Sequence, residues 1–181
     1  ELRGKVVLVQ IAPPSREDVP EYVEMRHQLE AAAGEINGRH AEFDYVPIRY
    51  LNKGVPRPVL AGFLRAADIG LITPMRDGMN LVAKEFVAAQ DPTDPGVLVL
   101  SRFAGAAQEM DGAILVNPYD EEGMSRALMR ALEMGREERI FRWHSMFQLL
   151  VENQVTDWFQ SFIDALDKAG QPNPKVLEDF E

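Results

Sequence analysis

The stretch Ile69-Gly70-Leu71-Ile72-Thr73-Pro74-Met75-Arg76-Asp77-Gly78-Met79-Asn80-Leu81-Val82-Ala83-Lys84-Glu85-Phe86 decides the fold. A short apolar run, Ile69 to Ile72, enters a segment holding a proline, an arginine, an aspartate, a glycine and an asparagine. A helical pattern leaves it, with Met79, Val82, Ala83 and Phe86 on one stripe. A strand, a turn and a helix in that order leave the first helical amides without intrahelical acceptors, pointing at whatever sits above the turn. The expectation is a chain that turns on Gly78 and an anion site above it, to which the helix dipole contributes roughly 0.3–1 kcal/mol when exposed. The same residues also fit an ordinary helix capped by Asp77, and local pattern does not choose between the two. Glu85 is similarly open: a solvated charge on the outer side, or a carboxylate near enough to the helix start to accept from two vicinal hydroxyls.

Outward from this stretch, strand and helix alternate. Toward the N-terminus, Lys5 to Ala12 is a near-continuous apolar run that predicts a strand buried on both faces. Pro13-Pro14 stops it. Ser15 is the expected cap of the next helix, with Asp18 three residues on and Pro20 in the first turn; the helix is expected to end near Gly34 or Gly38. Phe43 to Tyr50 predicts a second strand, with Pro47 marking an edge or a break. Asn52-Lys53-Gly54 is a turn, and Pro58 opens a helix with Val59, Leu60, Phe63, Leu64 and Ala67 inward.

Toward the C-terminus, Asp91 to Gly96 is a loop dense in breakers, followed by a strand over Val97 to Leu100. Arg102 to Ala107 is a small-residue turn that suits either close approach of a ligand or tight packing, the latter favoured for its alanines. A fifth strand covers Ala113 to Val116, and Asp120 caps a helix that Gly135 ends. Helices over Glu137 to Glu152 and Val155 to Lys168 follow. Their aligned aromatic residues, Trp143 and Phe147 on one, Trp158, Phe159 and Phe162 on the other, are read as core.

Five alternations and two further helices define an α/β chain: a Rossmann-like open parallel sheet with flanking helices and extra C-terminal helices. One domain is expected over residues 1–169, and the proline-containing stretch 170–181 is expected to be a disordered tail. Ligands of such sheets bind beyond the carboxyl ends of the strands, which here puts Pro13, Arg76 to Asn80, Arg102 to Ala106 and Asn117 on the rim.

Composition narrows the function. A formal charge of -10 opposes nonspecific binding to nucleic acid or to an anionic membrane, while leaving room for one small anion held locally. No run approaches the roughly 20 apolar residues that span a bilayer. With no cysteine, disulfides and thiolate metal sites are excluded, and a reducing, cytoplasmic setting is expected. The three histidines, His27, His40 and His144, are scattered, which gives a metal site or a Ser-His-Asp triad little support. Neither G-x-G-x-x-G nor G-x-x-x-x-G-K-[ST] is present, which argues against a dinucleotide dehydrogenase and a P-loop NTPase. Arg16, Arg49 and Arg76 are candidate anion contacts, although isolated arginines are usually surface residues.

Longer motifs add a resemblance. VQIAPPSRED, EINGR, PIRYLN, PMRDGMNLVAKEFVAAQDP and VLVLSRFAGAAQEMDGAILVNPYD stand in one order along the chain. Together they resemble the trehalose-6-phosphate synthase family of retaining glycosyltransferases, which have two Rossmann domains in the GT-B arrangement. The resemblance runs from about Lys5 to Lys168. It implies transfer of glucose from a nucleotide-glucose donor such as UDP-glucose to glucose 6-phosphate with retention, and no metal or other cofactor. Asp77 then resembles the catalytic-site acid that holds hydroxyls of the donor glucose. Gly78, Met79, Asn80, Leu81 and Val82 resemble the backbone that meets sugar and pyrophosphate, and Glu85 the acid that binds the ribose hydroxyls. The spacing Asp77-x7-Glu85 matches the E-x7-E pattern of retaining GT-B enzymes, with Asp in place of the first Glu. Val55 to Leu60 resembles the wall beside the nucleotide base.

The family's Arg and Lys that neutralise the pyrophosphate, and its acceptor domain with the glucose 6-phosphate site, lie upstream of the strand that begins this chain. With its start at Glu1-Leu2-Arg3-Gly4, the chain is therefore expected to be the C-terminal, donor-binding half of a GT-B fold: able to fold alone, weak in nucleotide binding and without turnover. Glucosylglycerol-phosphate synthases, cyclitol-coupling relatives and a non-catalytic nucleotide-sugar sensor share the donor-side motifs and remain alternatives. Base preference and homo-oligomerisation stay open.

Overall fold

The computed structural model describes residues 2–15 and 18–169; Arg16 and the stretch 170–181 lie outside the described residues. Packing divides the chain into two compact units, Glu1–Leu60 and Ala61–Glu181. All the strand pairing is parallel. It forms one sheet of two strands and one of three, rather than one continuous five-stranded sheet.

In the first unit β1 (Leu8–Ile11) pairs with β2 (Ile48–Leu51), Leu8 opposite Ile48 and Ile11 opposite Leu51. The strand β2 starts just after Pro47, whose free carbonyl accepts the Leu8 amide at 2.8 Å. Helix α1 (Pro20–His40) joins them. Three expectations need correcting here. Ser15 is not the helix cap: α1 starts on Pro20, with Val19 as a cap that makes no side-chain bond. A proline at the helix start satisfies the first turn because its missing amide would be unpaired anyway.

The helix also runs through Gly34 and Gly38 instead of ending there. Each costs up to about 1 kcal/mol against alanine. Between them, however, the Asn37 side chain donates to the Ile48 carbonyl at 2.9 Å and accepts the Ile48 amide at 3.0 Å, fastening the last turns to β2. Finally, β1 is not buried on both faces: Leu8 and Val9 are exposed, because the unit supplies one sheet of two strands and one long helix.

The unit boundary falls within α2 (Arg57–Ala66). The second unit orders its strands β3 (Ile69–Ile72), β4 (Val97–Ser101) and β5 (Ile114–Val116). Strand β4 is central and buried at every residue, as a parallel strand covered on both faces must be. Its alternation sorts the core. Leu98 and Leu100 point to one layer, built with Ala83, Phe86 and Val87 of α3 (Leu81–Ala89) and Trp143 and Met146 of α5 (Arg136–Glu152). Val97 and Val99 point to the other, with Ala127 and Ala131 of α4 (Glu121–Glu133). Gly70 of β3 makes room for the Phe86 ring, whose atoms would lie within 2.9 Å of any Cβ there.

Two aromatic helices close the chain, and they diverge. Trp143 is buried, donates its indole N–H to the Val87 carbonyl at 2.9 Å and stacks on Phe147 with centroids 4.8 Å apart. The stripe on α6 (Val155–Ala169) is exposed along its length, Trp158 at 64% and Phe162 at 53%. The expectation that Trp158, Phe159 and Phe162 are core is thus overturned, because no described element covers that face.

Candidate functional site

Between β3 and α3 the residues Thr73 to Asn80 cross the carboxyl edge of the three-stranded sheet. The helix begins at Leu81, two residues later than its pattern suggests; Met79 and Val82 are exposed, and Ala83, Phe86 and Val87 carry the buried stripe. The chain does not turn on a left-handed Gly78. Among the described residues Asn80 is the only non-glycine with positive φ, at 75°. Asparagine tolerates this conformation because its short amide bonds locally. Here Asn80 is also the cap: its Oδ1 accepts the Ala83 amide at 2.9 Å.

Asp77, the alternative cap, does something else. Its Oδ1 accepts the Met79 amide at 3.1 Å, closing an Asx turn, and its Oδ2 accepts from Asn80 Nδ2 at 3.0 Å. Both carboxylate oxygens are thereby oriented. Among the described residues, the amides of Gly78, Asn80, Leu81 and Val82 find no acceptor in the protein. Those amides, at the positive end of α3, are what an anion requires. Glu85 sits one turn into α3, exposed, with no ion pair or hydrogen bond to its carboxylate among the described residues.

The turn after β4 braces this loop from behind. The Asp77 amide donates to the Phe103 carbonyl at 3.2 Å, Gly105 to Asp77 at 2.9 Å and Ala106 to Met79 at 2.7 Å. A Cβ on Gly105 would clash with the Gly78 carbonyl oxygen. The close approach that this glycine permits is therefore between two loops of the protein. Lys84 adds a clamp, pairing with Glu109 at 2.7 Å and tying α3 to the short 3-10 turn Gly105–Gln108. The sequence reading missed Lys84–Glu109. It also missed the capping role of Asn80, for which an Asn three residues before an apolar helical stripe was the available signal.

Val55 and Leu60 lie in the first unit, at the entry to α2 and in its first turn; both are half-buried, and the Leu60 amide donates to the Pro56 carbonyl. The structure thus gathers Asp77, the free amides and Glu85 on one loop and helix, with Val55 and Leu60 in the other unit. A groove of about 420 Å³ between α4 and α5, edged by Arg126, Arg130 and Glu138, includes none of these residues. Its arginines pair with Asp120, Glu122 and Glu138, so it lacks free cations for an anion. No cluster of three His, Cys, Asp or Glu suited to a metal occurs among the described residues. No described helix is long and apolar enough to cross a membrane.

By fold and site this is an α/β domain with an anion-competent strand-turn-helix whose free amides stand between two acids. The sequence profile of glycosyltransferase family 20 matches residues 1–168, and the chain belongs to that family. It is 55% identical over 164 residues to the trehalose-6-phosphate synthase of Sinorhizobium fredii, covering 91% of this chain and 35% of the relative. With the synthase of an Enterobacter species the identity is 53%, over 97% of this chain and 36% of the relative.

Among solved structures, an α,α-trehalose-phosphate synthase (UDP-forming) from Burkholderia xenovorans in complex with glucose-6-phosphate superposes with a TM-score of 0.89 at 56% identity. The match covers 91% of this chain and 37% of that one. An E. coli trehalose-6-phosphate structure bound with UDP-2-fluoro glucose gives a TM-score of 0.89 at 52% identity, over 91% and 37%. The chain spans about a third of the length of the curated relatives it matches.

Proposed function

We propose that this chain is the donor-binding part of an α,α-trehalose-phosphate synthase, in which glucose passes from a nucleotide-glucose to glucose 6-phosphate with retention. The observation that carries this reading is the loop Asp77–Asn80 with α3: an oriented carboxylate, a row of unpaired amides, then an unpaired carboxylate one helical turn on. That order matches the order of groups in a nucleotide sugar, with hydroxyls of the hexose on Asp77, pyrophosphate on the unpaired amides of Gly78, Asn80, Leu81 and Val82, and ribose hydroxyls on Glu85. The relatives' bound UDP-2-fluoro glucose and glucose-6-phosphate support the two substrate classes.

In this reading the amides stabilise the pyrophosphate as it departs, and preorganised dipoles of this kind supply much of the rate in such chemistry. The leaving phosphate takes the acceptor's proton on the same face of the sugar, so configuration is retained without an enzyme nucleophile or a resident metal. On this reading the full-length enzyme would supply the glucose 6-phosphate site from its acceptor domain and the Arg and Lys that meet the pyrophosphate from the segment just upstream of β1.

Calorimetric titration tests the donor site. The chain is expected to bind UDP-glucose. Glu85→Ala is expected to weaken that binding roughly 10- to 100-fold, the loss of hydrogen bonds to a charged group. Equal affinity of wild type and Glu85→Ala removes the ribose assignment. GDP-glucose, titrated in parallel, reports the base preference.

A further inference from the structure

The side chain of Asn80 is occupied at both ends by the protein. Its Oδ1 holds the Ala83 amide and its Nδ2 holds Asp77 Oδ2, at 2.9 and 3.0 Å. With the backbone left-handed, at φ 75°, this one short amide reaches back to residue 77 and forward to residue 83. That conformation is uncommon outside glycine, and glycine would adopt it freely, so the amide group is what distinguishes asparagine here.

We propose that Asn80 is a positioning residue for the donor, orienting the Asp77 carboxylate and setting the first turn of α3 with one side chain. The proposal rests on the donor-site reading above. It follows from where the bonds go. Asp77 Oδ1 is held by the Met79 amide within the turn, and Asn80 holds the second oxygen, removing the remaining rotation of the carboxylate. By accepting the Ala83 amide, Asn80 consumes the deepest unpaired donor of the helix start and leaves those of Leu81 and Val82 for a ligand. The loop is held from behind through its backbone by Phe103, Gly105 and Ala106, which leaves side-chain orientation to Asn80.

Asn80→Asp separates the two tasks. The aspartate keeps an acceptor for Ala83 and tolerates the left-handed backbone, but it sets a carboxylate oxygen against Asp77 Oδ2, where like charges repel. UDP-glucose and UDP are titrated into the 181-residue chain and its variants, with thermal melts alongside. For Asn80→Asp the expected result is a loss in UDP-glucose affinity about tenfold larger than the loss in UDP affinity, because the added charge faces the pyrophosphate of both ligands and only UDP-glucose also loses the hexose contact to Asp77. Asn80→Gly keeps the backbone conformation without added charge. It is expected to show the same selective loss, smaller in size, and serves if the aspartate variant does not fold. Parallel weakening of both ligands, or no weakening of either, overturns the proposal in favour of a purely structural cap. A wild-type chain that binds neither ligand overturns the donor-site reading itself, and this inference with it.

Discussion

Helices α5 and α6 carry the same sequence signal and meet opposite fates. Each presents tryptophan and phenylalanine on one stripe. On α5, Trp143 is 6% exposed, stacked and hydrogen-bonded between α3 and the sheet; on α6, Trp158 is 64% exposed and, among the described residues, stacks only on Phe162 of its own helix at 5.6 Å. Periodicity states which face of a helix is apolar. Whether another element arrives to cover that face depends on the rest of the chain. The glycines repeat the lesson. A Cβ added to Gly78 would meet open space, while one added to Gly105 would clash with the Gly78 carbonyl.

The widest separation is expected between the tryptophans. Trp143→Ala opens a cavity and leaves the Val87 carbonyl without its donor, which should cost about 3–5 kcal/mol in urea unfolding. Trp158→Ala should stay within about 0.5 kcal/mol. Equal losses at the two sites would mean that α6 is covered in solution.

Next come the glycines. Gly105→Ala forces the two loops apart and should cost about 1–3 kcal/mol, together with weaker UDP-glucose binding. Gly78→Ala should leave the melting temperature nearly unchanged, since its backbone is not left-handed and its surroundings are open. A Gly105→Ala variant as stable as wild type would show that the bracing between these loops is slack.

The acids give the smallest effect. The Thr93 amide, and after it the Thr93 hydroxyl, hold Asp91 below the usual carboxylate value of 3.8, with Arg65 adding to them. A depressed folded-state value means stability that is present above the unfolded value and lost as pH falls through the folded one. The urea midpoint should therefore drop slightly below pH about 4, and Asp91→Asn should flatten that slope. Glu85, which has no partner among the described residues, sharpens the contrast: Glu85→Ala should leave stability within about 0.5 kcal/mol while it weakens donor binding.

Read alone, the chain discloses its α/β class, the strand-turn-helix at Ile69 to Phe86, strand bounds within a residue or so for β3, β4 and β5, and, through long motifs, its family. Those features are written locally, in runs of apolar residues, in breakers between them and in motif order. Less of the site is written that way. Gly78 looked like the residue that turns, yet Asn80 holds the left-handed position, because its side chain can satisfy residues on both sides of it. The start of α1 looked capped by Ser15, but Pro20 needs no cap bond.

Sequence by itself therefore determined the order of elements and the parentage of the chain. Tertiary structure alone decided which glycine is braced, which aromatic stripe is buried, and how the Asp77 carboxylate is held. These outcomes depend on atoms far apart in the chain, such as Gly105 against Gly78 and Trp143 against Val87, and such contacts have no local spacing from which they can be read.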